Sequence, residues 1–334
     1  MTYVLAFVAS GVVVVLAGTA LARHADAIAE ATKLGRLWIG SVLLAGATSL
    51  PELATDVAAV RLGATDLAVG DLFGSSMANM LILAVIDLVP PHKQVLRHAA
   101  LDHALAASLA ISLNALAAVL VVVGPGASRS WVGPGSVVLF LAYLAGTRAV
   151  YRHAVRAGAA PTPRSAAAGE GAEQARSLRR AALGFTVAAL VVLAAAPAFA
   201  WSAKGIAQIS GLGNTFVGTW LLGLATSLPE LVSCLAAVRM GAFDLAVGNL
   251  FGSNAFNMAV FFPLDLVQPN DLFASLDPNH ALSGLFAVVL MSLGLAAIVY
   301  RAKRRFAMLE PDSLLMLVAY GTALWLTYRN SAGW

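Results

Sequence analysis

Two glutamates set inside apolar sequence are the residues of this chain best suited to chemistry. Glu52 closes the run Thr48-Ser49-Leu50-Pro51-Glu52, and Glu230 closes the identical run Thr226-Ser227-Leu228-Pro229-Glu230, 178 positions later. A second polar motif follows each: Gly70-Asp71-Leu72-Phe73-Gly74-Ser75 with Asn79, then Gly248-Asn249-Leu250-Phe251-Gly252-Ser253 with Asn257. Proline has no N–H and its ring displaces the carbonyl four residues back, so a helix through Pro51 or Pro229 must break or kink and release Ala47 or Ala225. Released carbonyls, Thr and Ser hydroxyls and a carboxylate make an all-oxygen set, the kind that binds hard cations such as calcium. The two glutamates together would neutralise one divalent ion, and sodium could use the same oxygens at lower charge. Competition for shared ligands would then couple the two ions.

Ser75 and Asn79 are four residues apart and share one helix face, as do Ser253 and Asn257; all four are assigned to the ion site. Gly70 and Gly74, matched by Gly248 and Gly252, are read as places of close helix packing. Asp71 lies one turn before Ser75 where the second copy has Asn249, and Asp56 lies one turn after Glu52 where the second copy has Cys234. These two aspartates either line a watery vestibule or supply a third carboxylate or a proton acceptor. Asp66 and Asp244 open their helices and are read as caps or partners of the helix dipole. Asp87, Asp265, His98, His103 and His280 are placed at the interface, and Trp201, Trp325 and Tyr328 in an aromatic belt.

The elements that must hold these residues are membrane helices. Of 334 residues, 60% are hydrophobic and 11% charged, a composition suited to lipid rather than to a water-soluble core. Segments long enough to span a bilayer fall at 2 to 22, 36 to 61, 66 to 88, 98 to 123, 131 to 151, 180 to 201, 213 to 239, 244 to 266, 278 to 300 and 311 to 328. No Lys or Arg precedes the first, so it reads as a span and not as a signal peptide. The single cysteine, Cys234, can form no intrachain disulfide.

Aligned without gaps, Ala47 to Met80 and Ala225 to Met258 share 24 of 34 residues. The same offset carries the other segments onto one another, so the chain is two five-helix halves, 1–156 and 179–334, joined by an Ala-, Gly- and Pro-rich linker at 157–178. Five is odd, so the halves enter the membrane in opposite directions. With the N-terminus outside, 17 of the 21 Lys and Arg lie inside, among them Arg23, Arg239 and the Arg301 to Arg305 cluster. That positive-inside bias puts both termini outside and the linker in the cytoplasm. The fold expected is an all-α polytopic membrane protein of ten transmembrane helices in two inverted repeats, with broken helices 2 and 7. Inverted repeats with midplane sites are typical of secondary transporters.

On these duplicated motifs, across essentially the whole chain, the sequence resembles the calcium/cation antiporter superfamily, and within it the prokaryotic sodium/calcium exchangers. The resemblance implies that helices 2, 3, 7 and 8 enclose a central cation site, with helices 1 and 6 sliding across it for alternating access. Residue by residue it implies Thr48, Ser49, Glu52, Ser75, Asn79, Thr226, Ser227, Glu230 and Ser253 as ligands, with the two glutamates as the calcium-binding core. The chain departs from the pattern at three places. Asn257 stands where many sodium/calcium exchangers have Asp, Asp71 where Asn is usual, and Ser76 where the second copy keeps Asn254.

The activity expected is sodium/calcium antiport that extrudes calcium across the cell membrane, with proton coupling as the alternative. A cation channel is the reading of another class, but no selectivity-filter loop is present. No nucleophile elbow, HExxH or Walker pattern points to an enzyme. The basic residues form no face with interleaved aromatics for nucleic acid. The partners expected are calcium, sodium or protons and the lipid bilayer, with no cofactor and no obligate protein partner.

Overall fold

In the computed structural model, the described residues are 1–32, 44–88, 95, 103–124, 132–156, 170–239, 241–300 and 311–331. Lys33, Arg36, Lys93, Arg97, His98, Arg129, residues 157–169 of the linker and the Arg301 to Arg305 cluster lie outside them, while the rest of the linker, 170–178, is not irregular but helical. In chain order the helices are α1 (Thr2–Thr32), α2 (Ala45–Thr48), α3 (Leu50–Arg61), α4 (Thr65–Leu88), α5 (His103–Val123), α6 (Pro134–Arg156) and α7 (Glu170–Ser210). Then follow α8 (Asn214–Val217), a π-helical turn (Gly218–Leu222), α9 (Gly223–Thr226), α10 (Leu228–Arg239) and α11 (Phe243–Val267). A 3₁₀ turn (Leu272–Ser275), α12 (His280–Tyr300) and α13 (Pro311–Ser331) complete the fold, and no strand occurs among the described residues.

Among the described residues, seven helical stretches are long and apolar enough to cross a bilayer: Thr2–His24, Thr65–Leu88, His103–Val123, Ser177–Ser210, Asn214–Arg239, Phe243–Val267 and His280–Tyr300. The other three predicted segments are helical over the residues described but more polar. Residues 44–61 carry Glu52, Asp56 and Arg61, α6 carries Arg148 and Arg152, and α13 carries Asp312 and Arg329.

The centre of the bundle is α4 and α11. Along α4, 89% of the apolar window is buried, against 33% for α1. Each central helix packs on the broken helix of the other half: α4 on α8, the π turn and α9, and α11 on α2 and α3. Two glycines permit the first of these approaches. A Cβ on Gly70 would sit 2.7 Å from the Thr215 carbonyl oxygen, and one on Gly74 would sit 2.3 Å from that of Thr219. The packing role expected of this pair is what these contacts show. Outside, α1 and α7 lie against each other, with Phe7 stacked on Phe199 at 4.6 Å between ring centroids. Trp201, Trp325 and Tyr328 are exposed on the outer surface.

Several acidic and histidine residues near helix ends are buried within the bundle or paired across it. His103 and His280 are fully buried, and each meets an aspartate of the other half. His103 Nε2 lies 3.1 Å from Asp244 and His280 Nε2 3.0 Å from Asp66. Asp66 also accepts the Asp277 backbone N–H. These aspartates therefore bridge between helices, in addition to any effect on their own helix dipole. Asp87 and Asp265 are buried too, and each serves the first turn of a distant helix. Ser313 of α13 donates to Asp87 at 2.8 Å. Asp265 accepts from the Gly133 and Leu272 N–H groups at 2.6 and 2.7 Å and from Ser136 of α6. The physical reason is that a helix start leaves N–H groups unpaired, and in an apolar surround a carboxylate from a neighbouring helix is the available acceptor.

Asp265→Ala would leave the buried Gly133 and Leu272 N–H groups without an acceptor, while Ser136 could still donate to the Gly133 carbonyl. The expected loss is about 3 kcal/mol or more, since each unsatisfied buried group costs roughly 1–3 kcal/mol. Thermal unfolding in detergent, with Asp312→Ala as the control, checks it.

Candidate functional site

Each broken helix is interrupted at a single residue. Ser49 (φ −87°, ψ 6°) separates α2 from α3, and Ser227 (φ −81°, ψ 2°) separates α9 from α10. Helical bonding continues on both sides, with Ser49 N–H on Ala45 and Leu53 N–H on Ser49, and likewise Ser227 on Gly223 and Leu231 on Ser227. What is missing is the donor that Pro51 and Pro229 cannot provide, so the break is local and brings Thr, Ser and Glu to one place.

The side chains around the two breaks meet across the halves in matched pairs. Thr48 Oγ1 lies 3.4 Å from Ser253 Oγ and donates to Asn249 Oδ1 at 3.3 Å. At the positions 178 residues away, Thr226 Oγ1 lies 3.2 Å from Ser75 Oγ and donates to Asp71 Oδ1 at 2.9 Å. Gly18 of α1 sits over both breaks: a Cβ there would fall 2.7 Å from Pro229 Cγ and 3.0 Å from Pro51 Cγ.

At the centre the two copies differ. Glu230 Oε1 accepts hydrogen bonds from Ser49 at 3.3 Å and Ser253 at 3.4 Å. Glu52 has no hydrogen-bond donor at either oxygen, and Glu230 Oε2, Asp71 Oδ2, Ser227 Oγ and both amide atoms of Asn257 are likewise without partners. Glu52 is within electrostatic range of Glu230 and Asp71. Asp56 has no hydrogen-bond partner at either oxygen and is within electrostatic range of Asp71. All four carboxyl groups are fully buried, and no Lys, Arg or His pairs with them among the described residues.

Buried, uncompensated carboxylates are costly, and in membrane proteins such groups mark ion or proton pathways. The donor set is mixed. No cluster of three or more His, Cys, Asp or Glu suited to a metal ion occurs among the described residues. A cation here would be held by carboxylates together with hydroxyl, amide and carbonyl oxygens.

Asn79 donates to Asn254 Oδ1 at 2.8 Å, joining α4 to α11, while its own carbonyl oxygen stays unpartnered. Asn254 in turn donates to the Ser76 carbonyl at 3.2 Å and accepts at its backbone from Asn114 of α5, also at 3.2 Å. Asn114 was not singled out from the sequence. The signal was there, a lone amide in an apolar span, but nothing local said which helix it would face.

Fold and site together define a class: an all-helical, multi-pass membrane protein whose helices enclose a buried acidic, oxygen-lined centre. The chain belongs to the sodium/calcium exchanger protein family, whose model matches residues 2–147 and 180–329. It is 30% identical over 278 residues to the inner membrane protein YrbG of Escherichia coli (strain K12), covering 79% of this chain and 78% of that one. Among solved structures it is similar to the sodium-calcium exchanger NCX_Mj (TM-score 0.64, 20% identity, 97% of this chain and 98% of that one). It is also similar to the H+/Ca2+ exchanger CAX (TM-score 0.66, 15% identity, 99% and 89%). At these identities the two structures speak for the fold.

Proposed function

We propose that this protein is a secondary active cation antiporter that extrudes calcium in exchange for sodium by alternating access. The observation that carries the reading is the fully buried pair Glu52 and Glu230, within electrostatic range of each other, with both oxygens of Glu52, one of Glu230 and those of Ser227 and Asn257 left without hydrogen-bond partners. Thr48, Ser49, Ser75, Asn79, Thr226, Ser227, Ser253 and Asn257 complete the ligand shell, and calcium is cargo rather than a resident metal. α1, seated at Gly18 over both prolines, is the element whose displacement would open the centre to one side and then the other.

Proton coupling is the second reading, favoured by Asp56 and Asp71, two fully buried carboxyl groups within electrostatic range of each other. Uptake of radioactive calcium into proteoliposomes separates the two. Uptake driven by an outward sodium gradient supports the first reading, and uptake driven by a pH gradient without sodium supports the second. Flux under neither gradient, in either direction, excludes both.

The same proposal places ten spans in the cell membrane as two inverted five-helix repeats, 1–156 and 179–334, with both termini outside and linker 157–178 in the cytoplasm. The element boundaries support it: α3 and α10 are each 12 residues long and begin 178 positions apart. A cysteine introduced by Ala167→Cys should react with an impermeant maleimide only after the cell membrane is opened. Cys234 is buried and leaves little background; labelling of intact cells would reverse the orientation.

A further inference from the structure

A cleft of about 310 Å³ lies between α1 and α10, lined in part by Ala22, Leu44, Val232 and Leu235. Arg23 and Arg239 stand in the same lining. Both are exposed, and among the described residues neither is paired with a carboxylate. The fold leaves a second cleft of about 460 Å³ at the corresponding place between α3 and α7, where Ala54, Val57 and Pro197 line the wall and Arg61 holds the position of Arg239. The residue equivalent to Arg23 is there Trp201. An apolar cleft is therefore what the duplicated fold leaves twice, while a pair of guanidinium groups belongs to one copy alone.

We infer that the cleft between α1 and α10 binds an anionic glycerophospholipid of the bilayer, with its phosphate between Arg23 and Arg239 and the start of one acyl chain against Ala22, Leu44, Val232 and Leu235. A guanidinium presents a planar fork of donors that matches a phosphate and is less strongly hydrated than an ammonium. Basic pockets between membrane helices suit acidic headgroups. Two fixed positive charges favour a lipid of net negative charge over a zwitterionic one, whose amine offsets the phosphate. The volume is at the lower end of the roughly 300–1,000 Å³ typical of small-molecule sites, enough for part of one chain. Ala22 lies one turn from Gly18 on the same face of α1, so the chain of the bound lipid lies next to the contact between α1 and the two prolines. The inference rests on the membrane placement of these helices and not on which ion is transported.

Native mass spectrometry of the full-length protein in detergent micelles tests it, with phosphatidylglycerol, phosphatidylcholine and inorganic phosphate as probes. Phosphatidylglycerol should bind, with phosphatidylcholine weaker by about tenfold or more. Arg23→Ala and Arg239→Ala should each lower phosphatidylglycerol binding about tenfold, in keeping with the loss of a charge-assisted hydrogen bond, and Arg61→Ala should leave it unchanged. Ala236→Trp fills the cleft while keeping both arginines, and should also remove the lipid. Equal binding of the two lipids, full binding by the double arginine variant or by Ala236→Trp, or displacement of the lipid by inorganic phosphate would each overturn the inference.

Discussion

Glu52→Gln and Glu230→Gln should each reduce calcium transport by more than about a hundredfold while the protein still inserts and elutes as a single species. A unit charge about 4 Å from another is worth roughly 4 kcal/mol at an effective dielectric of 20, and a divalent ion doubles it. Even a part of that exceeds the roughly 2.8 kcal/mol that a hundredfold change requires. The amide would also turn N–H donors toward a cation. The two variants have different starting points, because Ser49 and Ser253 already donate to Glu230 whereas nothing donates to Glu52. A second measurement separates site from scaffold. Calcium at a hundred times its dissociation constant should stabilise the unmodified protein by about 2.7 kcal/mol, and this gain should vanish in either variant. A double variant that still transports calcium would remove the two glutamates from the site.

The second large effect is expected at Gly74. Its hypothetical Cβ would meet the backbone of Thr219 at 2.3, 2.6 and 2.7 Å, at the oxygen, Cα and carbonyl carbon. Backbone cannot move aside as the end of a side chain can, so Gly74→Val must push α4 away from the π turn. Overpacking in well-packed sites costs typically 1–3 kcal/mol and occasionally more, and this contact belongs at the upper end. Displacing the turn also shifts Thr226, which donates to Asp71 from the next helical segment, so both thermal stability and transport should fall. Gly321→Ala is the control: nothing lies within 4 Å of its added Cβ, and replacing glycine inside a helix is worth about 1 kcal/mol in favour of alanine. Its melting temperature should hold or rise. Gly74→Val with unchanged melting and flux would show that α4 and the π turn do not need this approach.

Much of the candidate site was legible because its signals are local. Proline has no N–H to donate, and beside Thr, Ser and Glu in an apolar run it announced the breaks at Thr48 to Glu52 and Thr226 to Glu230, whereas α7 and α11 run on through Pro197 and Pro263. A carboxylate inside an apolar run announces its cost wherever the chain goes. The glycine pair at 70 and 74 could be read as a packing face from spacing alone. For residues near helix ends, the partners were not legible. Asp66, Asp87, Asp244 and Asp265 each suit a cap or an interfacial position by sequence, yet their partners are Asp277 and His280, Ser313, His103, and Gly133 with Ser136 and Leu272. Those pairings are set by which helices pack together.

The sequence by itself determined the duplication, the two interrupted helices, the glutamates set in apolar runs and the imbalance of Asp56 and Asp71 against Cys234 and Asn249, because each follows from residue type and spacing. Only the tertiary structure decided that Thr48 would meet Ser253 and Thr226 would meet Ser75, that Asn79 would be spent on Asn254, and that Glu230 would be hydrogen-bonded while Glu52 would not. The reason is that a hydrogen bond between residues 151 to 205 positions apart depends on how helices cross. That crossing is fixed by packing over whole faces, here the close approach of α4 to the π turn at Gly70 and Gly74, and not by any short stretch of chain.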